Sequence, residues 1–188
     1  MRKTLSFIAA FFMLALVARA QETESVGNFK LVSVVGQNSL VWQKTYAHDF
    51  ESIEEVSQAL FERGMIFKDI VVLDSTTVTC TAHFFFNYRK AGYERSQMPI
   101  MILNSDELYC RFVFQLKSDR MRVTADRIYL PKNRSDSFLT PEPDMRSFID
   151  TDGRIMQEKT MTRALDMLDK NIQFALDFRT PGYLADNF

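Results

Sequence analysis

The sequence predicts an α+β domain: an antiparallel sheet of about five strands in β-α-β-β-β-β-α order, with both helices on one face. Three observations predict it. Residues 108–130 alternate apolar and polar side chains with a period of two, interrupted by one short polar step. Residues 40–47, 65–73 and 76–88 read as further strands, by alternation or by their β-branched content. Residues 52–64 and 154–178 instead carry apolar side chains at helical spacing. Period two sends successive side chains to opposite faces of a strand, whereas i, i+3, i+4 spacing makes one stripe on a helix. A sheet with one apolar face needs a cover. Two amphipathic helices supply it and leave the other face open and more polar.

In chain order, residues 1–20 read as a secretory signal peptide. Arg2 and Lys3 give a positive start, residues 5–17 an apolar stretch, and Ala18-Arg19-Ala20 small residues around a cleavage site. The apolar stretch is shorter than the roughly 20 residues a bilayer-spanning helix needs. An exported protein, periplasmic or extracellular, is expected, with no transmembrane segment after cleavage. Cleavage would remove three of the 23 basic residues and none of the 24 acidic ones, leaving a formal charge of −4. That balance argues against nucleic acid, which wants a basic surface. Residues 21–39 form a lead-in, in which 29–35 has strand character with no evident partner. Residues 40–179 form a single domain, and 180–188 a C-terminal tail.

The first strand, 40–47, carries Trp42 and Tyr46 on one parity. Ser52 and Glu55 then have capping-box spacing, each side chain able to satisfy a free backbone N–H of the other. Ile53, Val56 and Leu60 form the stripe of that helix, and Gly64 offers a left-handed stop. In the 76–88 strand, Cys80 shares a face with Val78, Ala82 and Phe84, and His83 lies on the other. Residues 87–107 form a long connection, of a length that is often functional or mobile; its apolar part, 98–103, is expected to fold back on the domain. Residues 131–150 read as irregular, with Pro131, Pro141 and Pro143. The terminal helix follows, with Met161, Leu165, Leu168, Ile172, Ala175 and Leu176 as its stripe.

The 108–130 stretch fixes its own register if Ser118-Asp119 form a two-residue turn. Leu116 then faces Met121, Phe114 faces Val123 and Phe112 faces Ala125, all on one side. Gln115 faces Arg122 and Arg111 faces Asp126 on the other. A slip of one residue would destroy both agreements. Cys80 and Cys110 both fall on the apolar side. In an oxidising compartment they could pair; the alternative is two buried thiols, and the unset register between their strands leaves both open.

These segments also carry a likeness. The VWQKTY strand at 41–46, the SIEEVSQAL helix at 52–60 and the RMRVTADRIYL strand at 120–130 resemble a family of secreted bacterial domains of unknown function, described as having a TATA-binding-protein-like fold. The element order is similar too. The resemblance implies that fold, export in Gram-negative bacteria, and no assigned activity. It implies nothing about DNA, because a fold does not fix a function.

Catalytic signatures are missing from the sequence: no Gly-x-Ser-x-Gly elbow, no His-Glu-x-x-His, no phosphate loop and no dinucleotide fingerprint. Asp150-Thr151-Asp152-Gly153 has part of a calcium-loop pattern, but Lys159 stands where the closing Glu belongs, so it reads as a turn leading into the helix. No metal or cofactor is expected. Asp74-Ser75-Thr76 resembles the short O-glycosylation sequon of some Gram-negative envelopes. The open sheet face is the candidate surface. His83, Tyr109, Arg111, Arg122 and Asp126 are its candidate partner-binding residues, since Tyr and Arg are enriched where proteins meet partners. The plain alternative is a solvated face with Arg111–Asp126 as a cross-strand pair. The leading expectation is a non-enzymatic binding module for a protein or glycan of the cell envelope. Two others stand beside it: a scaffold subunit that assembles through a sheet edge or the 98–103 patch, and a hydrolase with His83 as base and the 87–107 loop as lid.

Overall fold

The computed structural model describes residues 24–34, 37–103, 105–131 and 145–178. The expected signal peptide at 1–20, Pro141, Pro143 and the expected tail at 180–188 lie outside the described residues. Seven strands form one antiparallel sheet: β1 (Ser25–Val26), β2 (Phe29–Val34), β3 (Gln37–Ala47), β4 (Phe67–Asp74), β5 (Thr77–Phe85), β6 (Glu107–Lys117) and β7 (Arg120–Tyr129). Their spatial order is β1-β2-β3-β7-β6-β5-β4. Among the described residues three α-helices accompany them: α1 (Ile53–Phe61), the single turn α2 (Ile100–Leu103) and α3 (Lys159–Ala175).

The expected α+β class and element order hold, with seven strands in place of about five. The two extra strands come from the lead-in. β2 pairs with β3, Phe29 opposite Trp42, and so finds the partner that its sequence did not reveal. The β6–β7 hairpin has the register read from the pattern: Leu116 opposite Met121, Phe114 opposite Val123, Phe112 opposite Ala125 and Arg111 opposite Asp126. Ser118, at φ 47, supplies the positive dihedral that the two-residue turn requires.

The core lies between the sheet and the helices. Trp42, Val78, Phe112, Phe114 and Val123 from the strands pack with Ile53, Val56 and Leu60 of α1 and Leu165, Leu168 and Ile172 of α3. α1 begins as expected: the Ser52 hydroxyl accepts from Glu55 N–H. The reciprocal half differs, because the Glu55 carboxylate reaches the N–H of Glu51 rather than Ser52. Gly64 has no positive φ; the helix ends at Glu62 in right-handed geometry. α3 starts later than expected. Residues 149–155 form a small hairpin closed by the Ile149–Ile155 bridge, and Asp150 Oδ1 accepts from the N–H groups of Asp152 and Arg154.

One buried cluster pins α3 to the sheet. Asp169, buried on α3, accepts hydrogen bonds from Trp42 Nε1 at 2.7 Å, Asn28 Nδ2 at 2.9 Å and Gln173 Nε2 at 2.8 Å. Asn28 sits in the β1–β2 turn beside Gly27, whose φ is 59. A Cβ on Gly27 would lie 3.1 Å from Asp169 Oδ2, so the turn takes a residue without one.

Candidate functional site

The open face carries a row of aromatic rings. Tyr109 on β6 lies opposite His83 on β5 and opposite Tyr129 on β7. The His83 and Tyr109 rings stack at 4.1 Å with planes 9° apart. Phe85 follows at 5.6 Å from His83, and Tyr129 at 6.2 Å from Tyr109. Such cross-strand pairs are what stabilise one face of a sheet. Phe85 is 55% exposed and Tyr109 38%.

A carboxylate fixes the row. Glu107 Oε2 lies 3.1 Å from His83 Nε2 and accepts from the Tyr109 hydroxyl at 3.1 Å. Desolvation, then the hydrogen bond and charge of Glu107, raise the Tyr109 phenol above its ordinary value, so it remains a donor. Glu107 is not among the residues expected from the sequence, where it closes the long 87–107 connection. The signal was present: alternation carried back from Tyr109 puts Glu107 on the same face. Tyr129 was hidden for a different reason. Between Asp126 and Tyr129 the β7 strand takes three steps against two on β6, and the extra residue, Arg127, has φ 52. This bulge reverses the parity, which buries Ile128 and turns Tyr129 to the open face.

Arg111 and Asp126 meet as expected. Arg111 Nε donates to Asp126 Oδ1 at 2.8 Å, and Arg111 Nη2 donates to Oδ2. The hydrogen bond to Asp126 raises the Arg111 pKa against a smaller effect of burial. The paired geometry uses the planar fork of the guanidinium. Arg111 is therefore committed to its neighbour. Arg122 stands apart. It is exposed, opposite Gln115 and Thr45, and lines a shallow depression of about 610 Å³ with Lys117, Asp119 and Arg120. Six residues of β6 separate it from Tyr109, roughly 20 Å at strand rise. The structure thus brings His83 together with Tyr109, and Arg111 with Asp126, but does not bring Arg122 to either pair.

Cys80 and Cys110 are free and buried. Cys110 lies opposite Ala82, and Cys80 opposite Phe112, so the two are diagonal neighbours. Diagonal positions lie roughly 7–8 Å apart, beyond the roughly 4.4–6.8 Å between Cα atoms that a disulfide spans. Burial pushes the Cys80 thiol up to about 12.

The 87–107 connection is not a lid over His83. Tyr93 donates to Asp166 of α3, Asn87 N–H donates to Asn171, and Lys170 reaches the Ala91 carbonyl. Met98 and Ile102 are buried in the core. These contacts hold the segment on the helix side, opposite the face that carries His83. They also remove most of the 98–103 patch from the surface; Ile100 alone among its described large side chains is strongly exposed.

On the helix side, a cleft of about 870 Å³ opens between the ends of β3 and β7 and the end of α3. Tyr46 and His48 line it, and the Tyr46 hydroxyl and both His48 ring nitrogens are buried without a hydrogen-bond partner. Burial, followed by the charges of Asp169 and Asp177, raises the Tyr46 phenol. Among the described residues no cluster of His, Cys, Asp and Glu is placed to hold a metal ion, and no helix is long and apolar enough to cross a membrane.

No family profile matches the sequence, and no curated protein matches it. Among solved structures, the chain is similar to a DUF4468 family protein from Bacteroides ovatus. The identity is 12% over 81% of this chain and 92% of that chain, with a TM-score of 0.45. It is also similar to a TBP-like protein from Parabacteroides distasonis, at 9% identity over 76% of this chain and 92% of that chain, with a TM-score of 0.39.

Proposed function

We propose that this chain is a non-enzymatic binding module of the cell envelope, and that it takes a protein or glycan partner at the aromatic end of its open sheet face. The observation that carries the reading is the row Phe85–His83–Tyr109–Tyr129, with Glu107 bonded to two of its members. Aromatic rings offer large contact area with few rotatable bonds, so little conformational entropy is lost when a partner covers them. Here the rings are already stacked and anchored, which lowers that cost further. Export of the chain rests on the pattern of residues 1–20.

The test is a comparison of three proteins on a glycan array and in cross-linking capture from the producing cells' envelope. They are the native chain, a Phe85→Ala/Tyr109→Ala variant and an Arg122→Glu variant, each checked for folding by circular dichroism. The reading expects binding by the native chain and by Arg122→Glu, with loss in the double variant. Equal binding by all three would remove the aromatic row from the argument. Loss in Arg122→Glu alone would move the site to the basic depression at the hairpin end.

A further inference from the structure

We propose that β4 is a self-pairing edge, along which two copies of this chain join antiparallel about a two-fold axis at Val71. β4 is the last strand in the sheet order. Val71, Val72 and Leu73 on it, Phe61 at the end of α1 and Met65 in the turn between them are each between 43% and 74% exposed. An apolar edge strand with unpaired backbone groups is a template for another strand.

About Val71 the sequence of β4 is complementary to its own reverse, except that Asp69 mirrors Leu73. Lys68 and Asp74 lie three places to either side, and Ile70 and Val72 one place to either side. The faces agree with this symmetry. Lys68, Val71 and Asp74 lie opposite Thr81, Thr79 and Thr77 of β5, on the open face. Val72 lies opposite buried Val78, and Ile70 packs on the core. The two register shifts of β4 fall at Asp69 and Leu73, also equidistant from Val71. Bulges usually blunt an edge. Here each falls opposite the other in the paired copy, so neither interrupts the register between the two strands.

The backbone completes the match. On β5 the even residues bond to β6: Thr76 C=O accepts from Leu116 N–H, and Phe86 N–H donates to Asp106 C=O. The odd residues bond toward β4, as His83 N–H does to Ile66 C=O. Lys68, Val71 and Asp74, opposite odd residues, therefore spend their backbone groups on β5. Ile70 and Val72 present theirs outward. In the two-fold register Ile70 meets Val72 of the second copy, so the outward groups meet each other. Lys68 meets Asp74 of the second copy, twice. A two-fold axis normal to the sheet keeps the helices of both copies on one side. This pairing leaves the aromatic row of the open face uncovered and does not depend on its partner.

Sedimentation equilibrium of the purified protein over a wide concentration series tests the proposal. The expected mass is that of two chains, falling to one chain in a Val71→Lys variant, which sets two like charges across the axis. Lys68→Glu and Asp74→Lys variants should each associate more weakly than the native chain, yet pair with each other when mixed, because the mixture restores both opposite-charge contacts. Circular dichroism confirms folding of every variant. A native chain that stays at the mass of one copy throughout overturns the proposal. So does a Val71→Lys protein that still pairs fully, or a mixture that associates no better than its components.

Discussion

Replacing Asp169 by Leu should show how the first turn, the sheet and the last helix are tied together. The carboxylate accepts from Trp42, Asn28 and Gln173. Trp42 has no exposed surface, so the substitution leaves its indole N–H buried without an acceptor, at a cost of about 1–3 kcal/mol. Asn28 and Gln173 are partly exposed and can turn to water, so each loses only the net worth of its hydrogen bond, about 1 kcal/mol. Leu spares the desolvation of the carboxylate, which offsets part of the loss. The expected cost is about 2–4 kcal/mol, a large fraction of the 5–15 kcal/mol typical of a domain. Urea unfolding followed by far-ultraviolet circular dichroism measures it. Tryptophan fluorescence is unsuitable, because the control removes the chain's one tryptophan. That control is Trp42→Phe in both backgrounds. With no indole N–H to orphan, Trp42→Phe should be less damaging in the Asp169→Leu protein than in the native one, with a coupling of about 1–3 kcal/mol. A coupling near zero, or a loss from Asp169→Leu below about 0.5 kcal/mol, the range of ordinary surface substitutions, would mean that the carboxylate does not tie Trp42 to the last helix.

Two further predictions concern titratable groups. Burial, the largest single effect on Asp166, raises its pKa, but hydrogen bonds from Lys170 and Tyr93 together outweigh it and hold the group below the ordinary 3.8. The unfolded chain then binds this proton at higher pH than the folded one. The stabilisation is complete above about pH 4 and is lost as pH falls through the lower folded value. Urea midpoints measured from neutral to acid pH should decline less steeply in Asp166→Asn than in the native chain; identical slopes would count against the pair. Burial also keeps Cys80, at about 12, and Cys110 protonated in mildly alkaline solution. Neither thiol should react with a disulfide reagent until the protein is unfolded, when both should. A native mass short of two hydrogens would instead mean that the diagonal pair has closed.

What was legible in the sequence was whatever depends on near neighbours. The β6–β7 register followed from alternation and one turn, because a slip of one residue would bury Arg111 and expose Phe112, and the two-residue turn sets the rest. The stripes of α1 and α3 followed from spacing. The bulges at Asp69 and Arg127 could not be read in this way. Each adopts a positive φ that no local motif demands, and each is set by what the partner strand presents, such as the Thr81 hydroxyl bonded to Asp69. The candidate site suffered accordingly. Tyr109 and His83 were placed on one face by parity alone, but their stacking needed the β5–β6 register, and Tyr129 needed the bulge. β2 was visible as a strand, yet its pairing partners were not, because a six-residue segment leaves many registers open.

The position of β7 has a consequence for how the chain folds. It is the last strand in sequence but lies in the middle of the sheet, between β3 and β6. Until it arrives, β1-β2-β3 and β4-β5-β6 are separate three-stranded pieces, each with an unsatisfied inner border. Gln43 and Thr124, which bond across the closure, are 81 positions apart in the chain. Contacts of such separation are won late, after the entropy of a long loop has been surrendered. The slow step of folding should therefore be the insertion of β7. Substitutions in the β4–β5 hairpin, which is formed before that step, should slow refolding with little effect on the rate of unfolding, whereas substitutions at contacts made only after β7 is in place should act mainly on unfolding.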